Sequence, residues 1–227
     1  MRKAESKGPG AAARPARILI VDDHPVFRLG LARMLDGEEG LAVCGEARSV
    51  EEAAESLDGL APDLVVVDIS LPGAGGLDLV RALKERRPEL PALVLSMHDE
   101  ALFAGRALRA GARGYVNKQE PVEEMVAAVR TVISGGTYLS PRMRARLEAR
   151  GRRGGREMEG PVEILSDREL EVFGLIGEGL GTREIAERLG IAVKTVETYR
   201  EHIKDKLALE SAPELARRAV AWVLAQG

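Results

Sequence analysis

The stretch DLVVVDISLP, Asp63–Pro72, places a carboxylate at the end of an apolar strand. Its three consecutive valines predict a strand that is buried on both faces, as in a parallel sheet. Asp68 follows them, although a charged group beside a hydrophobic core is unfavourable unless it is paired, hydrated or bound to a metal. The position of Asp68 therefore indicates a functional role.

Similar apolar runs recur along residues 17–137, and each is followed by a helical pattern. The runs are RILIVDD, LAVCGEA, DLVVVDI, PALVLSM and RGYVNK. In the second unit, Ser49 and Glu52 have the spacing of a capping box at the start of a helix. Five βα units predict an α/β domain with a five-stranded, doubly wound parallel sheet. Ligands of such sheets bind at the carboxyl ends of the strands.

Composition limits the classes of protein to which the chain can belong. Of the 227 residues, 45% are hydrophobic and 3% aromatic, so aliphatic side chains must fill the cores. The single cysteine, Cys44, excludes an internal disulfide and fits a reducing cytosol. No apolar run reaches the roughly 18 residues of a membrane span. Residues 1–16 lack the apolar centre of a signal peptide, so we expect a disordered leader and a cytoplasmic protein.

The chain changes character after the last βα unit. Within residues 138–162, PRMRARLEARGRRGGREMEGP contains seven arginines and four glycines without a sustained apolar stripe. This composition predicts a linker whose first part is helical, with a basic arm that assists DNA contact as the alternative. Residues 163–227 then show only helical patterns, which predict a small all-α domain of four helices.

Polar side chains stand at the ends of four of the predicted strands. Asp22 and Asp23 end the first strand, and Asp68, Ser96 and Lys118 end the third, fourth and fifth. Any single aspartate there can be a turn or helix cap, but the whole set converges at one edge of a parallel sheet. Three carboxylates suit a hard cation such as Mg²⁺. A carboxylate oxygen can also attack phosphorus, with the lysine and serine binding the resulting anion.

ILIVDDHPVFRLGL, DLVVVDISLPGAGGLDLV, LVLSMHDE and ARGYVNK resemble the receiver domain of bacterial two-component response regulators, over about 120 residues. The resemblance implies a flavodoxin-like fold, a phosphoacceptor, a Mg²⁺ site and a switch pair. His24 and His98 are interpreted as loop residues that tune access to the site. The implied roles are phosphoacceptor for Asp68, metal ligands for Asp22, Asp23, Asp68 and the Ser70 backbone carbonyl, switch pair for Ser96 and Tyr115, and phosphate partner for Lys118.

The second domain contains a short helix followed by a longer one. Ser166 and Glu169 form a capping-box pattern at the first helix of the domain. TREIAERLG predicts a short helix capped by Thr182 and ended by Gly190, and IAVKTVETYREHIKDKL predicts the longer helix. This is helix-turn-helix geometry, although helical hairpins share the pattern.

Helical spacing divides the longer helix into two faces. Val196, Tyr199, Ile203 and Leu207 are expected to pack inward. From Ser166 to the end there are nine Lys and Arg against eleven Asp and Glu, a net of −2, so a merely solvated face is the alternative to DNA contact. The candidate DNA-binding residues are Lys194, Thr195, Glu197, Thr198, Arg200, Glu201, Lys204 and Lys206.

LSDRELEVFGLIGEGLGTREIAERLGIAVKTVETYREHIKDKL resembles the LuxR-type helix-turn-helix. Ala192 stands where that family often has serine, which removes a helix cap of about 1 kcal/mol. In the last helix, Leu215, Ala219, Trp222 and Val223 form an apolar stripe that is first of all core. The resemblance adds a dimer seam as an alternative for part of that stripe.

Together the two resemblances point to the NarL/FixJ class of response regulators. They imply a transcription factor that is phosphorylated by a sensor histidine kinase or a small phosphodonor. It would use Mg²⁺, bind double-stranded DNA and form a homodimer when phosphorylated, without turning over an external metabolite.

Two other interpretations remain open from the residues. One is a phosphatase with Asp68 as nucleophile, but such enzymes need a second acid two residues later, where Ser70 stands. The other is a phospho-independent adaptor or regulator that acts mainly through protein contacts, which the acidic second domain favours.

Overall fold

The structure is a computed structural model and describes residues 14–71, 75–97, 100–145 and 164–224. Strands and helices alternate in its first part, and only helices follow. In chain order they are β1 (Ala16–Val21), α1 (Pro25–Asp36), β2 (Leu41–Ala47), α2 (Val50–Leu60), β3 (Leu64–Asp68), α3 (Gly76–Arg86), β4 (Ala92–Ser96), α4 (Glu100–Ala110), β5 (Gly114–Asn117), α5 (Val122–Ile133), α6 (Asp167–Gly177), α7 (Thr182–Leu189), α8 (Val193–Leu207) and α9 (Ala212–Leu224).

The first domain is a five-stranded sheet in the order β2-β1-β3-β4-β5, with every pair parallel. Every residue of β3 and β4 is buried, as the continuous apolar runs predicted. Helices α1 and α5 cover one face, and α2, α3 and α4 cover the other. The predicted doubly wound α/β fold is therefore confirmed.

Two local features fix how helices meet this sheet. The Ser49 hydroxyl accepts a hydrogen bond from the Glu52 N–H at 3.2 Å, which confirms the predicted cap of α2. Helix α3 begins at Gly76, where a Cβ atom would lie 1.8 Å from the Asp68 carbonyl oxygen. Because Gly76 lacks that atom, the start of α3 packs directly against the end of β3.

The second domain packs α6 against α8 and α9. The Phe173 and Trp222 rings lie 5.4 Å apart in its core. Val196 and Ile203 of α8 are fully buried, in agreement with the predicted inward face. The all-α organisation is confirmed.

The ends of the helices in this domain agree with the sequence in all but one place. The Ser166 N–H donates to Glu169 Oε2 at 2.7 Å within a complete capping box. Gly190, with φ 63°, ends α7 in the left-handed conformation. The predicted cap of α7 at Thr182 is wrong, because Gly181 occupies the cap position and its N–H donates to Glu184 at 2.6 Å.

The segment after α5 is more firmly held than a solvated spacer. Residues 141–145 are helical, and Leu139 and Met143 are buried. The Ser140 N–H donates to the Glu100 carboxylate of α4 at 3.0 Å. The remaining linker, at 146–163, lies outside the described residues.

At the other end of the first domain, Arg14 pairs with Asp63 at 2.8 Å, and the rest of the predicted leader, 1–13, is outside the described residues. Among the described helices, none is long and apolar enough to cross a membrane.

Candidate functional site

Four predicted polar residues meet at the carboxyl ends of the strands. Asp22, Asp68, Ser96 and Lys118 come from four different strand ends and are between 0% and 9% exposed. Asp23, next to Asp22, is partly exposed. We call Asp22, Asp23, Asp68 and Lys118 the acidic edge.

Lys118 forms ion pairs with two carboxylates of the acidic edge at once. Its Nζ lies 2.7 Å from Asp22 Oδ2 and 2.7 Å from Asp68 Oδ2. The same ammonium lies 4.6 Å from the centre of the Phe27 ring, within the range of a cation–π interaction. A buried positive charge is thus placed directly beside Asp68.

The donor set at this edge fits a divalent cation. One ligand atom from each of Asp22, Asp23, His24 and Asp68 lies within 4.8 Å of the others. Asp23 Oδ1 is buried, and within the described part of the chain it has no hydrogen-bond partner. Mg²⁺ prefers oxygen ligands, so this cluster of carboxylates, including that Asp23 oxygen, is suited to it.

His24 also belongs to this cluster, although the sequence indicated only a loop residue that tunes access to the site. Its Nδ1 lies 2.8 Å from Asp23 Oδ1, although without hydrogen-bond geometry, and 3.8 Å from Asp68 Oδ2. Its position directly after two aspartates was the available signal. The other histidine considered, His98, lies outside the described residues.

The environment of Asp68 opposes its ionisation. Burial raises the pKa of the Asp68 carboxyl above its usual value, and the Asp22 charge also raises it. Lys118 and the Ser70 N–H lower that pKa without cancelling the effect of burial. An added positive charge at the acidic edge would therefore favour the ionised, nucleophilic form of Asp68.

The proposed switch residues are both completely buried. Ser96 and Tyr115 are 0% exposed. Ser96 is the last residue of β4, and Tyr115 is the second residue of the neighbouring strand β5. The Tyr115 N–H donates to the Tyr138 carbonyl at 3.2 Å, which joins β5 to the start of the linker. Their roles in switching remain predictions.

The second domain lies over the acidic edge. Arg168 Nη2, near the start of α6, donates to the Ser70 carbonyl at 2.9 Å and to the Leu71 carbonyl at 3.2 Å. Its Nη1 pairs with Glu171 at 2.8 Å. The Ser70 hydroxyl lies 3.4 Å from the other oxygen of Glu171. No periodicity or motif in the sequence signals the contacts of Arg168 and Glu171 with Ser70, which join residues about a hundred positions apart.

A cavity of about 510 Å³ remains between the two domains. Asp68 and Lys118 line it from the receiver side, and Arg168, Glu171 and Arg188 line it from the other. The acidic edge is therefore covered by α6 and α7 but still has space above it.

Most candidate DNA-binding residues lie on the exposed face of α8. Lys194, Glu197, Thr198, Glu201 and Lys206 are exposed, and Thr195, Arg200 and Lys204 are half-buried. Two of the predicted phosphate contacts are paired within the chain, because Lys204 lies 2.8 Å from Glu201 and Lys206 lies 2.6 Å from Glu169. DNA contact by these residues remains a prediction.

The apolar stripe of α9 is core, as expected. Leu215, Ala219 and Trp222 are between 0% and 4% exposed. Val220 and Leu224 on the same helix are 40% and 76% exposed. Val223, the fourth residue of the stripe, is partly buried, and a dimer seam in part of the stripe remains a prediction.

Comparisons with known proteins agree with this architecture. Residues 18–130 match the family model of the response regulator receiver domain, and residues 163–219 match that of bacterial regulatory proteins of the luxR family. The chain is 39% identical over 209 residues to the oxygen regulatory protein NreC of Staphylococcus carnosus, covering 90% of this chain and 96% of that protein. It is 37% identical over 204 residues to the response regulator GacA of Pseudomonas aeruginosa, covering 90% and 95%.

A solved structure of RcsB from Salmonella enterica serovar Typhimurium, bound to the promoter rprA in the presence of the phosphomimetic BeF3⁻, matches with a TM-score of 0.58. It is 26% identical and covers 91% of this chain and 99% of that one. Similarity thus extends through both domains in sequence and in structure. The chain belongs to the NarL/FixJ-type response regulators, which join a receiver domain to a LuxR-type DNA-binding domain.

Proposed function

We propose that phosphorylation of Asp68 controls sequence-specific DNA binding by the second domain, in a cytoplasmic regulator of transcription. The acidic edge carries this proposal. Asp68 ends β3, lies in a cluster of possible cation ligands and has Lys118 Nζ 2.7 Å from one of its oxygens. A sensor histidine kinase or a small acyl phosphate is the proposed phosphodonor.

In the proposed reaction, a carboxylate oxygen of Asp68 attacks the phosphorus of the donor. The new bond is an acyl phosphate, and the bond from phosphorus to the donor's nitrogen or oxygen breaks. Asp22, Asp23, Asp68 and the Ser70 carbonyl would hold Mg²⁺, which supplies neutralising charge to the phosphoryl oxygens. Lys118, which pairs with the Asp68 carboxylate, would then pair with those phosphoryl oxygens.

The proposed signal then passes through the buried switch pair. Attraction of the Ser96 hydroxyl by phosphoryl oxygens would favour a second packing of Tyr115 and the β4–α4 surface. The Glu100–Ser140 hydrogen bonds connect α4 with the linker, so a shift of α4 can reach the second domain. The phosphorylated form is proposed to be a homodimer that binds paired DNA half-sites.

The proposal excludes a turnover enzyme for an external phosphomonoester. Ser70 lies two residues after Asp68, where an aspartyl phosphatase needs a second acid. The Ser70 side chain instead lies against Glu171 of the second domain, and its backbone oxygen accepts a hydrogen bond from Arg168.

The first test is phosphorylation of the full chain by acetyl phosphate in Mg²⁺, with peptide mapping by mass spectrometry. A labile phosphate is expected on the peptide that contains Asp68, and Asp68→Asn should abolish it. Asp58→Asn is the matched control, since that side chain is 87% exposed. Failure of both acetyl phosphate and a phosphorylated histidine kinase to modify Asp68 would contradict the proposal.

The second test asks whether phosphorylation changes DNA binding. Duplexes selected from a random pool with the phosphorylated protein should bind Asp68→Asn more weakly. Equal binding by phosphorylated and unphosphorylated protein would favour the phospho-independent regulator, and absence of any salt-dependent binding would favour the adaptor.

A further inference from the structure

We infer that Arg168 competes with the divalent cation for the backbone carbonyl of Ser70, so that cation binding and the contact between the domains oppose one another. This inference rests on the cation site proposed above. It makes the DNA-binding domain a determinant of the receiver's cation affinity.

The competition arises because the Ser70 carbonyl, a proposed metal ligand, already has a partner in the second domain. The Ser70 carbonyl accepts a hydrogen bond from Arg168 Nη2 at 2.9 Å. A guanidinium and a divalent cation at the same carbonyl oxygen would repel each other in a partly dry site. The Arg168 side chain is 19% exposed, so water screens this repulsion only in part.

Lys118 does not link cation binding to the contact between the domains, although it too is a cationic side chain beside the proposed site. It lies at the end of β5 and stays beside Asp22 and Asp68 whatever the position of the second domain. Arg168 differs because it belongs to α6, so its withdrawal from Ser70 requires α6 to move relative to the receiver.

The contact would weaken as a unit when Arg168 withdraws. The Glu171 side chain is 2% exposed and is paired with Arg168. On the far side of the same contact, Arg106 Nη2 lies 2.9 Å from Asp167 Oδ1 and donates to the Leu165 carbonyl at 2.8 Å. Removal of Arg168 would leave Glu171 buried without that partner, which favours separation of the domains.

Linkage then sets the direction of the effect. If the cation binds only to the separated form, its apparent dissociation constant equals the intrinsic constant divided by the fraction of molecules in that form. By reciprocity, the cation must favour separation by the same factor. Mg²⁺ alone would therefore prepare the protein for its phosphodonor by withdrawing α6 from Asp68.

The test measures Mn²⁺ binding to the full chain by the electron paramagnetic resonance signal of the free ion. Arg168→Ala is expected to tighten binding about tenfold, as for the loss of a charged hydrogen bond in the competing state. Arg217→Ala is the matched control, because Arg217 is an exposed arginine on α9 of the same domain.

A second variant separates this linkage from simple removal of positive charge. Asp167→Asn breaks the contact at Arg106 while it removes a negative charge. A pure charge effect predicts weaker or unchanged Mn²⁺ binding, whereas opening of the contact predicts tighter binding. Tighter binding by Arg168→Ala but not by Asp167→Asn would overturn the inference.

A third measurement leaves the contact residues unchanged. Spin labels at Glu55→Cys in α2 and Arg218→Cys in α9, both exposed, would be placed in a Cys44→Ser background. Mg²⁺ should shift the distance distribution between the labels, and an unchanged distribution would overturn the inference. If no variant binds Mn²⁺, the proposed cation site fails and the inference fails with it. If the wild type, Arg168→Ala and Asp167→Asn bind Mn²⁺ equally well, the inference is overturned but the proposed cation site is not.

Discussion

Asp22, Asp68 and Lys118 of the acidic edge are buried, whereas the charged side chains on the outer face of α8 are in contact with water. Asp68 and Lys118 are 3% and 9% exposed, and the Lys118 ammonium lies 2.7 Å from the Asp68 carboxylate, whose pKa it lowers. Lys194 and Glu197 are exposed on the first turns of α8. Neighbouring groups thus constrain the charged side chains of the acidic edge, whereas those on the outer face of α8 are accessible to a partner.

The largest expected effect concerns the buried ion pairs of Lys118 at the acidic edge. Lys118→Met removes the partner of Asp22 and Asp68, and should lower the free energy of unfolding by about 3 kcal/mol in EDTA. Mg²⁺ should restore much of that loss. Urea denaturation followed by circular dichroism measures it, while Trp222 fluorescence reports the second domain separately. The exposed Lys84→Met is the control, and equal losses in the two variants would remove the distinction.

The next effect concerns a buried carboxylate whose ion-pair partner is exposed. Glu169 is 3% exposed but is held by Lys206 at 2.6 Å, so Glu169→Gln should cost the second domain about 2 kcal/mol. Glu201→Gln, which breaks only the surface pair with Lys204, should cost less than about 0.5 kcal/mol. Urea denaturation followed by Trp222 fluorescence distinguishes them.

The same carboxylate predicts how the second domain responds to acid. Burial raises the pKa of Glu169, but Lys206 and Ser166 outweigh burial and hold that pKa below its ordinary value of 4.5. A lowered pKa in the folded state stabilises the fold above pH 4.5, and this stability is lost as the pH falls through the folded value. Glu169→Gln should flatten that part of the stability profile, and an unchanged profile would contradict the assignment.

A smaller effect tests the exposed face of α8. Lys194→Ala should weaken binding to every selected duplex about fivefold and reduce the salt slope by about one. Glu197→Ala should instead change which base is preferred at one position. Fluorescence anisotropy at several salt concentrations separates the two results. Loss of affinity without a change in salt slope for Lys194→Ala would place that lysine away from phosphate.

The smallest expected effect concerns the N-cap of α8, where alanine provides no capping side chain. Ala192 is the N-cap residue of α8, with φ −67° and ψ 144° and without a side-chain hydrogen bond. Ala192→Ser should therefore stabilise the second domain by about 0.5 to 1 kcal/mol. Trp222 fluorescence in urea measures the gain. A loss of stability would show that the N-terminus of α8 is constrained by something other than its cap.

These differences also explain how much the sequence could predict. Strands β1 to β5 and the meeting of Asp22, Asp68 and Lys118 follow from periodicity and parallel topology, which act along the whole chain. The inward face of α8 follows from spacing in the same way. The sequence-based assignment of the cap of α7 to Thr182 was one residue too late, because glycine at 181 offers no side-chain signal.

Contacts between the domains were beyond prediction for a different reason. Arg168 reaches Ser70 across 98 positions, and nothing in either local sequence specifies the other. Burial of Leu139 and Met143 was missed because an arginine-rich composition dominates that segment, although its few apolar residues are the ones that pack. Local patterns identify elements, whereas the packing of one domain on another depends on shape.

The missing Cβ atom at Gly76 has a consequence for how this chain can evolve. Any side chain at position 76 would press on the Asp68 carbonyl, because its Cβ atom would lie 1.8 Å from that oxygen. The nearest atom to a Cβ at Gly75 would be 3.8 Å away. In a saturation library, position 76 should tolerate almost no replacement, while position 75 should accept many. Two adjacent glycines would thus carry opposite mutational tolerance, because only Gly76 lies directly against the Asp68 backbone.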